Sequence, residues 1–445
     1  MNKFFGDKQF IKNLAYLAIP IILNELLNSA VNMLDTFMVG TLGDAPVAAV
    51  GLGNQVFFLF NVVAFGINSG TAIFMGQYMG KNDLPNVHRS MGLAFILTFF
   101  VACVFALAAT VFPETIMGIY SKDAEVIEMG VGYLRAVAVS YLFTAVTVVF
   151  NYALKISGNA VQPMLTTLCS FIINFAANYF FIFVMDKGVT GAALGTVVAR
   201  SCELVIQFAA MVKFKRVIIT KPSNYFKLNF KFCAPFIGIT IPVILNESMW
   251  AFGTTAYNIA YKYSGTVAQA AVQIASTVQS LFMVTGLGIG SACAVILTNT
   301  LGAGDKQKAL DNSHRCMFFG VLISVIMGCV LALSSSLIVS IFNVDEVARD
   351  YALKMLFAVA AAIVIKTVNY VNICGILRSG GDTAFCLILD TASVWFVGLP
   401  IAFIGSAVLS LPIYVTFSLV YMEEAVKLIF SVRRVLSNKW LRTLV

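Results

Sequence analysis

The stretch Ile19-Pro20-Ile21-Ile22-Leu23-Asn24-Glu25 recurs 222 residues later as Ile241-Pro242-Val243-Ile244-Leu245-Asn246-Glu247. The same offset holds without a gap from 19 to 83, where 20 of the 65 aligned positions are identical. This composition would give about 5 identities by chance, so the similarity marks an internal repeat. Two copies of 222 residues fill the 445-residue chain, which predicts two homologous halves with a common fold.

The composition of the chain indicates that both halves lie in a lipid bilayer. Hydrophobic residues make up 60% of the sequence and charged residues only 11%, whereas an ordinary soluble domain has roughly 25% charged residues. A helix needs about 20 mostly apolar residues to cross the hydrocarbon core, and such windows recur along the chain. We predict twelve transmembrane helices near 14–39, 47–79, 91–112, 131–155, 163–185, 191–212, 235–261, 269–300, 316–342, 355–377, 384–408 and 411–430.

The number of helices per repeat predicts how the two halves are related. Six helices return the chain to the side on which it began, so both copies have the same orientation and share an axis along the membrane normal. The predicted fold class is therefore all-α integral membrane, with two six-helix bundles related by a pseudo-two-fold axis. We place the first lobe at 1–212, a basic cytoplasmic linker at 213–234 and the second lobe at 235–445. Repeats of this kind hold the substrate path in the cleft between the lobes.

The distribution of basic residues predicts the orientation in the membrane. The segments on the side of both termini carry 21 Lys and Arg residues, and those on the opposite side carry 6. Because basic residues are retained on the cytoplasmic side, we expect both termini in the cytoplasm of a cell (inner) membrane protein. The net charge of +8 reflects this bias, so a nucleic acid is not an expected partner.

Several functional classes find little support in the sequence. The nine cysteines form no CxxC pair, and the two histidines lie in short polar loops, which disfavours a metalloenzyme. The segment 76–82 superficially resembles a phosphate loop, but Asn82 stands where Ser or Thr would ligate magnesium. We therefore expect no bound nucleotide and no cofactor other than a proton or sodium ion that drives transport. We also expect a monomer.

Five polar side chains follow one face of the first predicted helix. At 100° per residue they fall within an arc of about 100°. They are Asn24, Glu25, Asn28, Asn32 and Asp35. Ionisable groups within a membrane cost roughly 2.5–3.5 kcal/mol on insertion scales and usually face a cavity that uses them. We predict that Glu25, Asn28 and Asn32 line the substrate cleft.

Asp35 is the main candidate for ion coupling. A partly desolvated carboxylate can take up a proton near neutral pH, or it can stay charged by coordinating a cation such as sodium. Either event changes the local charge by one unit and can bias a two-state transporter. The alternative is a structural Asp at the outer end of the helix.

Asparagines on the fourth and fifth predicted helices could assist Asp35. Asn174 and Asn178 lie one turn apart and hence on one face, and Asn151 lies on the preceding helix. Their amide oxygens suit a hard cation or a proton network. Asparagine also joins membrane helices through interhelical hydrogen bonds, so the structural alternative stays open.

The second half differs from the first at the equivalent positions. Tyr257 replaces Asp35, whereas Glu247 is the counterpart of Glu25. Glu247, Trp250 and Tyr257 could together hold an organic cation by charge and by aromatic faces. Lys366 lies midway along the tenth predicted helix, where an ammonium must be paired or hydrated, so we expect Glu247 or another carboxylate beside it.

Three other acids in the predicted helices are weaker candidates. Asp390 is a minor candidate for a functional carboxylate. Glu203 and Glu424 lie near cytoplasmic helix ends, where pairing with nearby basic groups would explain them.

Four segments carry a family resemblance. They are Asn32-Met33-Leu34-Asp35-Thr36-Phe37-Met38-Val39-Gly40, Ala48-Ala49-Val50-Gly51-Leu52, Leu301-Gly302-Ala303-Gly304-Asp305 and Gly375-Ile376-Leu377-Arg378-Ser379-Gly380-Gly381-Asp382-Thr383. Together they resemble the multidrug and toxic compound extrusion (MATE) family of the MOP flippase superfamily, over essentially the whole chain. The resemblance implies a secondary antiporter that expels cationic or amphipathic compounds in exchange for protons or sodium.

The resemblance also implies a cation site in the first lobe. It would consist of Asp35 with Asn174, Asn178 and, on the sixth helix, Thr196. One branch of the family also uses a Glu on the seventh helix, matched loosely by Glu247, with an acid on the tenth helix. Here the tenth helix offers Lys366 and no acid at that point, which favours coupling through the first lobe.

Two alternative functions remain in view. A lipid-linked saccharide flippase of the same superfamily would need a cationic cleft, and the predicted helices carry only Arg200 and Lys366 as internal bases. An intramembrane hydrolase would need paired aspartates, which Asp35 and Asp390 could mimic. We expect a transporter of small organic cations rather than an enzyme; the sequence leaves open the substrate and the choice between proton and sodium.

Overall fold

The computed structural model describes residues 8–214, 216–342 and 344–445, and these residues form helices and connecting loops without a β-strand. The long helices of the first half are α1 (Lys8–Gly40), α2 (Asp44–Gly80), α3 (Leu84–Val111), α4 (Ala124–Ile156), α5 (Val161–Val184) and α6 (Gly188–Lys213). Those of the second half are α7 (Phe230–Ser264), α8 (Thr266–Gly302), α9 (Lys306–Ile341), α10 (Glu346–Gly380) and α11 (Thr383–Val408). Short helices at Pro113–Tyr120 and Pro222–Tyr225 lie in connections.

The last predicted helix differs from the other eleven. Each of α1 to α11 is long and apolar enough to cross a membrane. The twelfth, α12, consists of Ile413–Val420 and Met422–Leu436, which meet at Tyr421. Its second part buries Glu423, Glu424 and Lys427, so its composition is less apolar than that of a lipid-facing helix. All twelve predicted helices are thus present, and the all-α fold class is confirmed.

Several helices begin earlier than the hydrophobic pattern predicts. α3 starts at Leu84 and α9 at Lys306, whereas apolar runs alone place these starts near 91 and 316. In both cases an aspartate caps the polar first turn: Asp83 Oδ1 accepts the Asn86 N–H at 3.3 Å, and Asp305 Oδ1 accepts the Lys308 N–H at 2.9 Å. The identity of Asp83 and Asp305 in the repeat therefore has a local cause, because both cap the equivalent helix.

The described residues pack into two compact units. One comprises Leu23–Thr240, and the other comprises the residues up to Ile22 together with Ile241–Val445. The divisions fall inside α1 and α7, at the repeated stretch that opens each half. A division into compact units does not test where the sequence repeat begins and ends. We therefore keep as a prediction the lobes at 1–212 and 235–445 and the linker at 213–234. Lys215 of that linker and residues 1–7 lie outside the described part of the chain.

Each unit has its own core of helix contacts. In the unit of residues 23–240, the ring of Phe60 stacks on Tyr141 with centroids 5.5 Å apart. In the other, Met355, Leu356 and Val359 of α10 are fully buried. Many large apolar side chains face outward instead, and Leu333 and Phe396 expose 88% and 80% of their surface. Outward-facing residues of this kind are expected where the surrounding solvent is lipid.

Candidate functional site

Asp35 lies in a buried polar cluster between α1 and α5. The Asn178 amide nitrogen donates to Asp35 Oδ1 at 2.5 Å and lies 3.3 Å from Asn174 Oδ1, to which it also donates. Asp35 exposes 8% of its surface, and the two asparagines are almost fully buried. The structure therefore brings together the three residues that the sequence singled out on the first and fifth helices.

Two amide atoms of this cluster have no partner among the described residues. They are Asn174 Nδ2 and Asn178 Oδ1, both buried. A buried polar atom without a hydrogen bond costs about 1–3 kcal/mol, so its retention calls for an explanation. An oxygen acceptor next to a carboxylate suits a proton carrier or a hard cation, which prefers oxygen ligands.

A glycine on α6 makes room for this arrangement. A Cβ atom added to Gly195 would overlap Asn178 Oδ1 and press on the Asn178 backbone. Gly195 is therefore the residue that lets α6 approach α5 closely enough to enclose the Asn178 amide. The sequence offered no signal for this role, because a glycine inside a membrane helix is common and its neighbour is known only from the packing.

Asp35 itself is not neutralised by a basic side chain. In the described part of the chain it forms no ion pair with Lys or Arg. On α6, Arg200 donates to Glu203 Oε2 at 2.9 Å, and Glu203 Oε1 also accepts from the Thr167 hydroxyl at 3.0 Å. The expected pairing of Glu203 with a basic group is therefore present. No described Lys or Arg side chain is therefore bonded to Asp35, and its role in binding an exchangeable cation stays a prediction.

Asn151 and Thr196 lie in other hydrogen-bond networks. Asn151 Oδ1 accepts from Gln207 Nε2 at 2.6 Å, and Gln207 Oε1 accepts from the Thr166 hydroxyl at 2.6 Å. The Thr196 hydroxyl donates to the Ala192 carbonyl of its own helix at 3.1 Å. Neither contact reaches Asp35, so the coupling roles of Asn151 and Thr196 stay predictions without a geometric link to it.

The remaining polar residues of α1 have varied surroundings. Glu25 lies 3.9 Å from the Lys155 ammonium and is about one-third exposed. Asn28 is half-buried and Asn32 is exposed, whereas Asn24 is buried with an unpaired side-chain oxygen. Exposed polar atoms at membrane depth are compatible with a water-filled path, and the cleft roles of Glu25, Asn28 and Asn32 stay predictions.

The predicted substrate residues of the second half have defined partners. Glu247 Oε1 accepts from the Arg378 guanidinium at 2.8 Å. The Tyr257 hydroxyl donates to Glu423 Oε2 at 2.5 Å, and Trp250 is half exposed. Glu247 therefore forms an ion pair with Arg378, a partner that no sequence pattern indicated. A joint role of Glu247, Trp250 and Tyr257 in holding an organic cation stays a prediction.

Lys366 is paired with a carboxylate other than Glu247. Its ammonium lies 4.0 Å from Glu424 Oε1 and 5.4 Å from the centre of the Tyr421 ring. Glu424 belongs to a buried group of charged residues on α10, α11 and α12. The sequence did carry a pattern from which this group could be predicted. Glu423 and Glu424 lie four and three residues before Lys427, and residues at these spacings share a helix face.

Comparison with known proteins places this arrangement in a family. A family model described as MatE matches residues 20–180 and 242–404, one segment in each half. A probable multidrug resistance protein NorM of Thermotoga maritima is 24% identical over 403 residues, covering 88% of this chain and 85% of the relative. Multidrug and toxin extrusion protein 1 of Oryctolagus cuniculus is 24% identical over 412 residues, covering 88% of this chain and 69% of the relative.

A solved structure agrees over nearly the whole chain. The Vibrio cholerae MATE transporter VcmN in its bent form has a TM-score of 0.88 at 15% identity, covering 98% of this chain and 99% of that one. At this identity the likeness concerns the fold. It supports the predicted arrangement of twelve helices in two bundles.

Proposed function

Because this chain belongs to the MatE family of membrane transporters, we propose that it exports cationic or amphipathic small molecules in exchange for protons or sodium ions. The observation that carries the proposal is the environment of Asp35: among the described residues its buried carboxylate has no ion pair and is held by Asn178, whose amide oxygen has no partner. The names of its relatives, which refer to multidrug resistance and toxin extrusion, support the class of substrate.

The coupling role of Asp35 follows from electrostatics. A carboxylate that binds a proton or a sodium ion loses one unit of negative charge, and this change can alter the balance between two conformations. A coupling ion therefore acts through its different affinity for the two states, which a cycle of alternating access requires. Asn174 and Asn178 would supply the neutral oxygen and nitrogen atoms that orient Asp35 in either case.

We also propose a multi-pass protein of the cell (inner) membrane with both termini in the cytoplasm, acting as a monomer. The 21 to 6 distribution of basic residues supports this orientation.

The decisive test is an Asp35→Asn variant in proteoliposomes that contain a fluorescent organic cation such as ethidium. Imposing a pH gradient and a sodium gradient one at a time identifies the coupling ion for the unmodified protein. The Asp35→Asn variant should fold normally and lose gradient-driven export, because the amide can neither take up a proton near neutral pH nor balance a cation charge.

The matched control is Asp44→Asn, which removes an exposed carboxylate from the first turn of α2 and should leave coupled export intact. Normal gradient-driven export by the Asp35→Asn variant would show that Asp35 is structural.

A further inference from the structure

The charged group of the second half is centred on the ammonium of Lys427. Lys427 Nζ lies 3.4 Å from Glu424 Oε1, 3.8 Å from Glu423 Oε1 and 3.9 Å from Asp390 Oδ1. Its side chain exposes only 7% of its surface. A single buried cation thus faces three carboxylates, two on its own helix and one on α11.

Each of these carboxylates is also held by a neutral donor. The Tyr257 hydroxyl donates to Glu423, Asn369 Nδ2 donates to Glu424 Oε2 at 2.9 Å, and Asn246 Nδ2 donates to Asp390 Oδ2 at 3.0 Å. Donors from α7 and α10 therefore orient all three acids before any external ion arrives. The result resembles the shell of a bound cation, with the cation supplied by the chain.

One contact connects this shell with the repeat-equivalent position of Asp35. Tyr257 is the counterpart of Asp35 at the offset of 222 residues, and its hydroxyl touches Glu423 of the shell. Gly398 makes this contact possible, because a Cβ atom there would overlap both the Tyr257 hydroxyl and Glu423 Oε2. The first half has a carboxylate and no basic partner at this point, and the second half has a phenol, an acid and a lysine.

The charges of the group are nearly balanced without a free ion. Three carboxylates face Lys427, and the Lys366 ammonium at 4.0 Å from Glu424 brings the number of positive charges to two. The neighbouring Glu247 is paired with Arg378. In the described part of the chain no group of three His, Cys, Asp or Glu side chains is spaced to hold a metal ion. Lys427 Nζ donates a hydrogen bond to Glu424 Oε1 and faces the other two carboxylates at the distance of an ion pair.

We propose that the second half contains a built-in cation site, in which the Lys427 ammonium permanently occupies the place that an exchangeable cation takes beside Asp35. Only the first half then exchanges a cation with the solution. This consequence for transport rests on the proposed coupling at Asp35, whereas the occupancy of the site by a tethered ammonium does not.

Chemical rescue of a Lys427→Ala variant tests the occupancy directly. The variant lacks three methylene groups and the ammonium, which are the atoms of propylammonium. Removing one partner of a buried ion pair is strongly destabilising, so the midpoint of thermal unfolding in detergent should fall by roughly 5–10 °C. Propylammonium should restore at least half of the lost stability, while the midpoint of the unmodified protein stays unchanged.

The controls separate a specific site from a general effect of amines. Lys427→Arg keeps the charge and should be stable without propylammonium. The double variant Lys427→Met, Glu424→Gln removes one charge of each sign, so it should fold and should not respond to the amine. If Lys427→Ala does not fold, normal folding of the double variant would show that the loss comes from the carboxylates left without a cation.

The inference is overturned if propylammonium stabilises Lys427→Ala no more than it stabilises the double variant, or if Lys427→Arg is as unstable as Lys427→Ala. The measurement needs no substrate and no gradient, so its outcome is independent of whether Asp35 couples transport.

Discussion

At the scale of single residues, Asn178 is the residue that bonds directly to Asp35. Its amide nitrogen donates a hydrogen bond to Asp35 Oδ1, and its amide oxygen has no partner among the described residues. A hydrogen bond to a charged group contributes about 1.5–3 kcal/mol. An Asn178→Ala variant should therefore export ethidium under a gradient about tenfold more slowly or worse, since about 1.4 kcal/mol corresponds to a factor of ten.

The suitable comparison is Asn151→Ala, because Asn151 bonds to Gln207 and makes no contact with Asp35. If both variants lost export equally, the direct contact with Asp35 would give Asn178 no special role in coupling. Equal losses in thermal stability with unequal losses in export would support the site.

The identity of a residue alone predicted a functional role where placing that side chain in the membrane costs much free energy. Asp35 could be selected from the sequence, because a carboxylate at membrane depth is expensive wherever it points. The partners of Glu247 and Lys366 could not be selected, because several acids and bases of the second half were available to each of them. The pairs with Arg378 and Glu424 depend on which helix faces meet.

At the scale of helices, the contact between α5 and α6 depends on Gly195. A Gly195→Ala variant should displace the Asn178 amide, and overpacking of this kind costs about 1–3 kcal/mol. We expect reduced coupled export together with a lower midpoint of thermal unfolding. Gly51→Ala is the matched control on α2, because a Cβ atom there meets nothing within 4 Å. Export by Gly195→Ala at the rate of Gly51→Ala would contradict the proposed role.

The two equivalent helix caps make a separate prediction about stability. Asp83→Ala and Asp305→Ala each remove a side chain that accepts a backbone N–H at the start of α3 or α9. The loss of such a cap typically costs about 1 kcal/mol. Each variant should unfold at a slightly lower temperature and keep coupled export. A large loss of coupling in either variant would mean that these residues do more than cap helices.

Helix boundaries show where pattern reasoning succeeds and where it fails. The apolar runs located all twelve helices, because lipid requires long apolar segments. The early starts of α3 and α9 were missed, because their first turns are polar and depend on a cap. α12 was predicted as one apolar segment, yet its second part is stabilised by buried charges whose partners lie on α10 and α11.

At the scale of the whole molecule, the distribution of basic residues predicts the topology. Alkaline phosphatase fused to the carboxyl terminus should be inactive in cells, since the enzyme needs export from the cytoplasm, and green fluorescent protein at the same place should fluoresce. Fusions after Tyr120, which ends the short helix between α3 and α4, should give the opposite result. Active phosphatase at the carboxyl terminus would overturn the predicted orientation.

The sequence by itself determined the membrane class, the twelve helices, the twofold repeat and the family resemblance. The first two follow from composition and hydrophobic pattern, because lipid requires long apolar helices throughout the chain. The repeat follows from aligned identities, and the resemblance rests on the four motif segments. Only the tertiary structure decided that Asn178 bonds to Asp35, that Gly195 encloses it and that Lys427 lies among three acids. Such contacts join residues far apart in the chain, and their formation depends on which helix faces pack together.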